Sequence, residues 1–366
     1  MSTGAAARGR ASRLIAPLAV TVLLTGCTAG PDPSPTGDAA EPTASTAPAG
    51  SVGVSTLATG LEAPWSLAVL DGTTLVSERD SGRILELDAE GGQREVGTID
   101  GVRARGEGGL LGIAVHDGHL YACSTGADEN RLQRLELTGE PGSHGLGEAE
   151  TLLDGIEAAS VHNGGRIAFG PDGMLYVTVG DAGNAAAAQH RDSLPGTILR
   201  LTPDGDIPSD NPFDGSPVYS YGHRNPQGLA WDEDGTLYAS EFGQDTWDEL
   251  NVIEPGGNYG WPEVEGTAGD DRFVDPVQQW EPADASPSGM AAADGSLWIA
   301  NLRGQRLREV PLGDLSTSVE HLVGEHGRLR DVAVGEDGAL WALTNNTDGR
   351  GDPDPGDDRV LRLDVR

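Results

Sequence analysis

The chain has 366 residues and a formal net charge of −34, with 58 acidic residues against 24 basic ones, all of them arginine. So acidic a chain repels nucleic acid and anionic lipid as partners. The absence of lysine excludes Schiff-base chemistry and a Walker-type phosphate lysine.

The N-terminus reads as a targeting segment. Arg8, Arg10 and Arg13 precede the apolar run 14–24, a positive region and a short hydrophobic stretch of the kind found in secretory signals. The run ends in Leu24-Thr25-Gly26-Cys27, which resembles a bacterial lipoprotein box with Cys27 as the lipidated mature N-terminus. Residues 1–26 are therefore expected to be a signal peptide. Residues 27–52, rich in Pro, Ser, Thr and Ala, are expected to form a disordered tether, because they cannot bury enough apolar surface to offset chain entropy. Lipid on Cys27 would hold the protein on the outer face of the cell membrane without a spanning helix.

From residue 53 to 366 one pattern recurs: an apolar strand, a turn containing Asp-Gly, and a second apolar strand. The turn aspartates are Asp71, Asp117, Asp172, Asp234, Asp294 and Asp337, at intervals of 46, 55, 62, 60 and 43 residues. Asp-Gly tolerates the positive φ of tight hairpins. Each hairpin is followed by a third alternating strand, such as 131–137 or 197–201, and most are preceded by a further strand-like segment. Six units of four strands predict an all-β fold, a six-bladed β-propeller with four-stranded antiparallel blades. Cys123 falls in the strand-like run 120–124 and is expected to be a buried thiol with no disulfide partner.

Candidate chemistry sits at the entrances to these hairpins. His162, followed by Asn163-Gly164-Gly165, is a candidate general base, since glycines allow close approach and imidazole titrates near neutrality. Arg224, Arg303, Arg328 and Arg330 stand near blade entrances, which a closed propeller brings to one axis. A ring of guanidinium groups in an acidic protein implies a bound polyanion. The run 241–251, Glu-Phe-Gly-Gln-Asp-Thr-Trp-Asp-Glu-Leu-Asn, offers oxygens to a hard cation such as calcium; the acidic loop 348–358 is another candidate, but a solvated turn is the expected reading there.

Taken in order, the motifs resemble the glucose/sorbosone dehydrogenase family, the soluble sugar dehydrogenases that use pyrroloquinoline quinone (PQQ). They are Ala63-Pro-Trp-Ser-Leu, Gly106-Glu-Gly-Gly-Leu-Leu-Gly, His162-Asn-Gly-Gly-Arg, Gly180-Asp181, Gly222-His-Arg-Asn-Pro-Gln-Gly-Leu, Asp248-Glu-Leu-Asn with Asn258-Tyr-Gly-Trp-Pro, and Arg328-Leu-Arg-Asp. The resemblance implies oxidation of an aldose hydroxyl to the lactone with hydride passing to PQQ and electrons to an external acceptor. It implies His162 as base, with Arg224 stabilising charge on the reduced quinone. Arg224, Asn225, Arg303, Arg328 and Arg330 would hold the cofactor. Gly243 and Gln244 would give carbonyls to Ca²⁺, and Glu107 and Asp181 would stand on the substrate side, Asp181 in support.

Four features depart from the family's glucose enzymes: Arg303 replaces a lysine, Glu107 a glutamine that contacts sugar, Val161 an acid beside the histidine, and Glu241-Phe-Gly-Gln a segment usually reading Glu-His-Gly-Pro. The changes at Glu107 and Val161 leave open which sugar is the substrate. Two rival functions fit a propeller as well. A calcium-dependent lactonase would need acidic and amide ligands around the axis, and a non-catalytic binding propeller would leave His162 without consequence.

Overall fold

The computed structural model describes residues 45–48, 52–70 and 72–365. The expected signal peptide, Cys27 and most of the expected tether lie outside the described residues, as does Asp71. Within the tether range, Ser45–Pro48 forms a short strand parallel to 317–320.

The described residues beyond this strand fold into six four-stranded antiparallel blades, the fifth of which carries Ser45–Pro48 as an added outer strand. The innermost strands are Pro64–Leu70, Leu110–His116, Ile167–Phe169, Pro226–Trp231, Pro287–Ala293 and Leu329–Val334, and they open blades 1 to 6 in chain order. Each runs into its second strand through one of the expected hairpins. Two of the fully described turns have two residues, Asp117-Gly118 with φ 45° and 73° and Asp294-Gly295 with φ 51° and 75°. That conformation requires residues tolerant of positive φ, which explains the Asp-Gly pairs.

Propeller sheets are covered on both faces, so the second strands are buried almost throughout; Leu175–Val179 is buried at every residue. The core is correspondingly divided into six clusters, one per seam between neighbouring blades. Leu120, Leu110 and Ile84 fill the seam between blades 1 and 2, for instance, and Leu297, Leu250 and Ile299 that between blades 4 and 5. Cys123 lies in the seam of blades 2 and 3, 2 % exposed, and burial pushes its thiol up to about 12. It is therefore an inert packing residue.

The repeat did not reveal how the ring closes. The outermost strand of blade 6 is Gly53–Thr59, from the start of the domain, paired antiparallel with Arg359–Asp364 at its end. This pairing ties both ends of the domain into one sheet and leaves no gap in the ring.

Candidate active site

All six innermost strands start at the same end of the axis and finish at the hairpin turns. At their starts lies a cavity of about 410 Å³. Its wall includes Trp65 from blade 1, Arg224, Asn225 and Gln227 from the entrance to blade 4, and Arg328 and Arg330 from the entrance to blade 6. Glu107, His162, Arg303, Arg350 and the segment Phe242-Gly243-Gln244 complete it with Asp248.

The histidine is held from two sides. His162 adopts φ 54°, a left-handed conformation rare outside glycine. Its main-chain N–H donates to Glu107 Oε2 at 2.8 Å, and its ring Nδ1 lies 2.7 Å from Asp181 Oδ1. Asp181 also accepts from Gly183 N at 2.7 Å and from Trp261 Nε1 at 2.8 Å. Burial works to raise the Asp181 carboxyl, but the His162, Gly183 and Trp261 donors prevail and hold it below its ordinary range. A carboxylate at Nδ1 fixes the proton there and leaves Nε2 with its lone pair for the cavity. The chain comes this close only because it lacks side chains: a Cβ on Gly180 would sit 2.1 Å from the His162 carbonyl oxygen.

The cationic wall is tied to a further arginine that does not line the cavity. Arg166 is bonded to Asp331 Oδ2 at 2.8 Å, Ser66 Oγ at 2.9 Å and Gln227 O at 2.9 Å, with its guanidinium 4.3 Å from the Trp65 ring centroid. In the wall, Arg330 donates to Gln227 Oε1 at 2.8 Å and Asn345 Oδ1 at 3.2 Å. Arg328 reaches Asp348 Oδ2 at 3.2 Å. Burial lowers Arg330 to about 9; Asp348 opposes this, and Arg328, Arg79 and Arg166 add to the lowering. Arg224 donates Nη1 to the carbonyls of Phe242 and Gly243 and lies 5.4 Å from the Trp261 ring centroid. Its Nε is buried without a partner. Such a surplus donor in a cavity wall is the signature of an anionic ligand.

The sequence and the structure agree on which residues meet here. His162, Arg224, Asn225, Arg303, Arg328, Arg330, Glu107, Gly243 and Gln244 all line the one cavity. Asp181 requires a correction: 1 % exposed and absent from the wall, it stands behind His162 rather than on the substrate side. The loop 348–358 is also reassigned. Asp348 is the counter-ion of Arg328, and Asp358 is buried against Thr344, Asn346 and Thr347. Arg350 was missed. It bonds Glu107 Oε1 at 3.0 Å across 243 residues of sequence, a pairing no local pattern encodes. Glu107 thus has one oxygen on His162 N–H and the other on Arg350.

Fold and site together define a propeller with a histidine–aspartate pair facing an arginine-lined axial cavity. The profile of the Glucose / Sorbosone dehydrogenase family matches residues 61–353, and the chain belongs to that family. Among solved structures it is similar to the PQQ-bound form of aldose sugar dehydrogenase from Streptomyces coelicolor. The TM-score is 0.82 at 52 % identity, covering 87 % of this chain and all of that one. It is 29 % identical over 352 residues to aldose sugar dehydrogenase YliI of Escherichia coli (strain K12), covering 81 % of this chain and 91 % of that protein. It is 35 % identical over 244 residues to quinoprotein glucose dehydrogenase B of Acinetobacter calcoaceticus, covering 56 % of this chain and 51 % of that protein.

Proposed function

We propose that this chain is a quinoprotein sugar dehydrogenase that binds PQQ in the axial cavity and oxidises the anomeric hydroxyl of an aldose to the lactone. The observation that carries the reading is the convergence of His162, fixed by Asp181, with five arginines on one cavity. PQQ is a flat tricarboxylate, and the wall suits it: Arg303, Arg328 and Arg330 offer cations for its carboxylates, and Arg224 Nε is a buried donor without a partner. Asn225, whose Oδ1 accepts Gly164 N–H at 3.0 Å, keeps its amide at the same wall.

When bound, PQQ supplies the two-electron acceptor for hydride, chemistry no side chain can perform. His162 Nε2 takes the proton of the sugar hydroxyl, and Asp181 stabilises the imidazolium that results. Arg224 presents positive charge where negative charge develops. Glu107, held ready by Arg350, offers oxygen acceptors to substrate hydroxyls.

A Ca²⁺ ion is proposed at the main-chain carbonyls of Gly243 and Gln244. Among the described residues no group of three or more His, Cys, Asp and Glu side chains could hold a metal. The Gly243 and Gln244 carbonyls would supply neutral oxygen donors of the kind a hard cation takes. The arginines on and around the axis also argue against the lactonase reading, which calls for acidic and amide ligands in that place.

We further propose an external electron acceptor and a lipid anchor at Cys27 on the outer membrane face. The protein should be released into the aqueous phase by Cys27→Ser. The test of the main reading is reconstitution with PQQ and Ca²⁺, followed by dye reduction with a panel of aldoses. Turnover that needs both additions supports it; an unchanged visible spectrum on adding PQQ overturns it.

A further inference from the structure

The segment that bears the proposed cation carbonyls is held by two carboxylates. The 242–243 peptide donates its N–H, that of Gly243, to Asp248 Oδ1 at 2.8 Å, while its C=O accepts Arg224 Nη1 at 3.2 Å. The 243–244 peptide repeats the arrangement, with Gln244 N–H on Glu265 Oε1 at 2.5 Å and Gly243 C=O on Arg224 Nη1. In a trans peptide N–H and C=O point in opposite directions within one plane. Whatever holds the N–H therefore aims the carbonyl.

Glu265 holds more than one such group. The same Oε1 accepts Asp245 N at 3.1 Å, Thr246 N at 3.1 Å and Trp247 N at 3.2 Å. Four successive N–H groups around one oxygen form an anion-binding hollow, here filled by a side chain of the long excursion between the third and fourth strands of blade 4. The hollow is tight: a Cβ on Gly243 would lie 1.7 Å from Trp247 O and 2.7 Å from Glu265 Oε1. Nothing in the sequence connects Glu265 with the run 241–251; the contact joins residues about twenty positions apart across a turn.

We propose that Glu265 is a positioning residue of the site: by capturing the N–H groups of 244–247 it aims the Gly243 carbonyl into the cavity, toward Arg224 and the cation. The inference rests on the calcium reading above. It also makes a demand independent of turnover, since removing Glu265 frees those N–H groups to solvent and lets the carbonyl swing.

The experiment uses the full chain, stripped of metal, as wild type, Glu265→Ala, Glu265→Gln and, as control, Glu263→Gln, whose partner is the exposed Arg272. CaCl2 is titrated in with PQQ present and followed by calorimetry. Amide hydrogen exchange is measured at 243–247. Glu265→Ala should weaken Ca²⁺ binding by about 10-fold or more, the usual effect of losing a group that orients a metal ligand. It should also abolish protection at 244–247. Glu265→Gln, which keeps one oxygen acceptor, should fall between, and Glu263→Gln should match wild type. Protection retained in Glu265→Ala overturns the proposal, as does its loss with Ca²⁺ affinity unchanged, and in either case the calcium reading stands. Wild-type protein that takes up no Ca²⁺ overturns both.

Discussion

The two ends of the innermost strands are built on different principles. At the hairpin end the turns obey local rules and are roomy: a Cβ on Gly118 or Gly295 would meet nothing within 4 Å. Charges there are paired, as in Arg362–Asp337 at 2.7 Å and Arg200–Asp172 at 3.0 Å. At the cavity end glycines are pressed onto backbone, His162 is held at positive φ, and Arg224 Nε is buried without a partner. Local rules are broken where a ligand is to be received, and the regular end supplies the rigidity that makes this possible.

Glycine substitutions should expose this contrast most strongly. Gly180→Ala places a methyl 2.1 Å from the His162 carbonyl and should cost about 3 kcal/mol or more in urea unfolding. Gly118→Ala, at φ 73° in open space, should cost only about 1 kcal/mol. Equal costs would break the distinction between close approach and backbone conformation.

Arg330→Met comes next. It should weaken PQQ binding by about 10–100-fold, the loss of charged hydrogen bonds, with a much smaller change in the melting temperature of the ligand-free protein. The reverse pattern would make Arg330 a structural strut.

The smallest effect concerns Glu249, buried beneath the site. Burial first, and then the charge of Glu241, push its carboxyl well above the ordinary range. A carboxyl whose folded value is raised keeps a proton that the unfolded chain releases, so its contribution to stability declines as pH rises from the ordinary carboxylate range. Glu249→Gln should flatten the melting temperature's dependence on pH between acid and neutral conditions. An unchanged slope would show that Glu249 titrates normally.

Legibility in the sequence followed the same divide. The Asp-Gly turns and the alternation of the third strands are local signals, and they gave the blades and their number. The site residues were legible where they sat at repeated positions, as with Arg224, Arg328 and Arg330 at blade entrances, or beside unusual glycines, as with His162. Three features were not legible, each for a non-local reason. The closing strand 53–59 pairs with 359–364 at the far end of the chain. Arg350 reaches Glu107 from another blade. Asp181 looked like a wall residue because the sequence does not say which side of His162 it occupies.

The proposed function makes His162 the base in a cavity that holds PQQ. Its most direct test is single-turnover reduction of bound PQQ by an aldose in wild type and His162→Ala, followed by stopped-flow absorbance. Both proteins should bind the cofactor with similar affinity, and the variant should be reduced about 10²–10⁴-fold more slowly. Reduction of the variant at the wild-type rate would contradict the account.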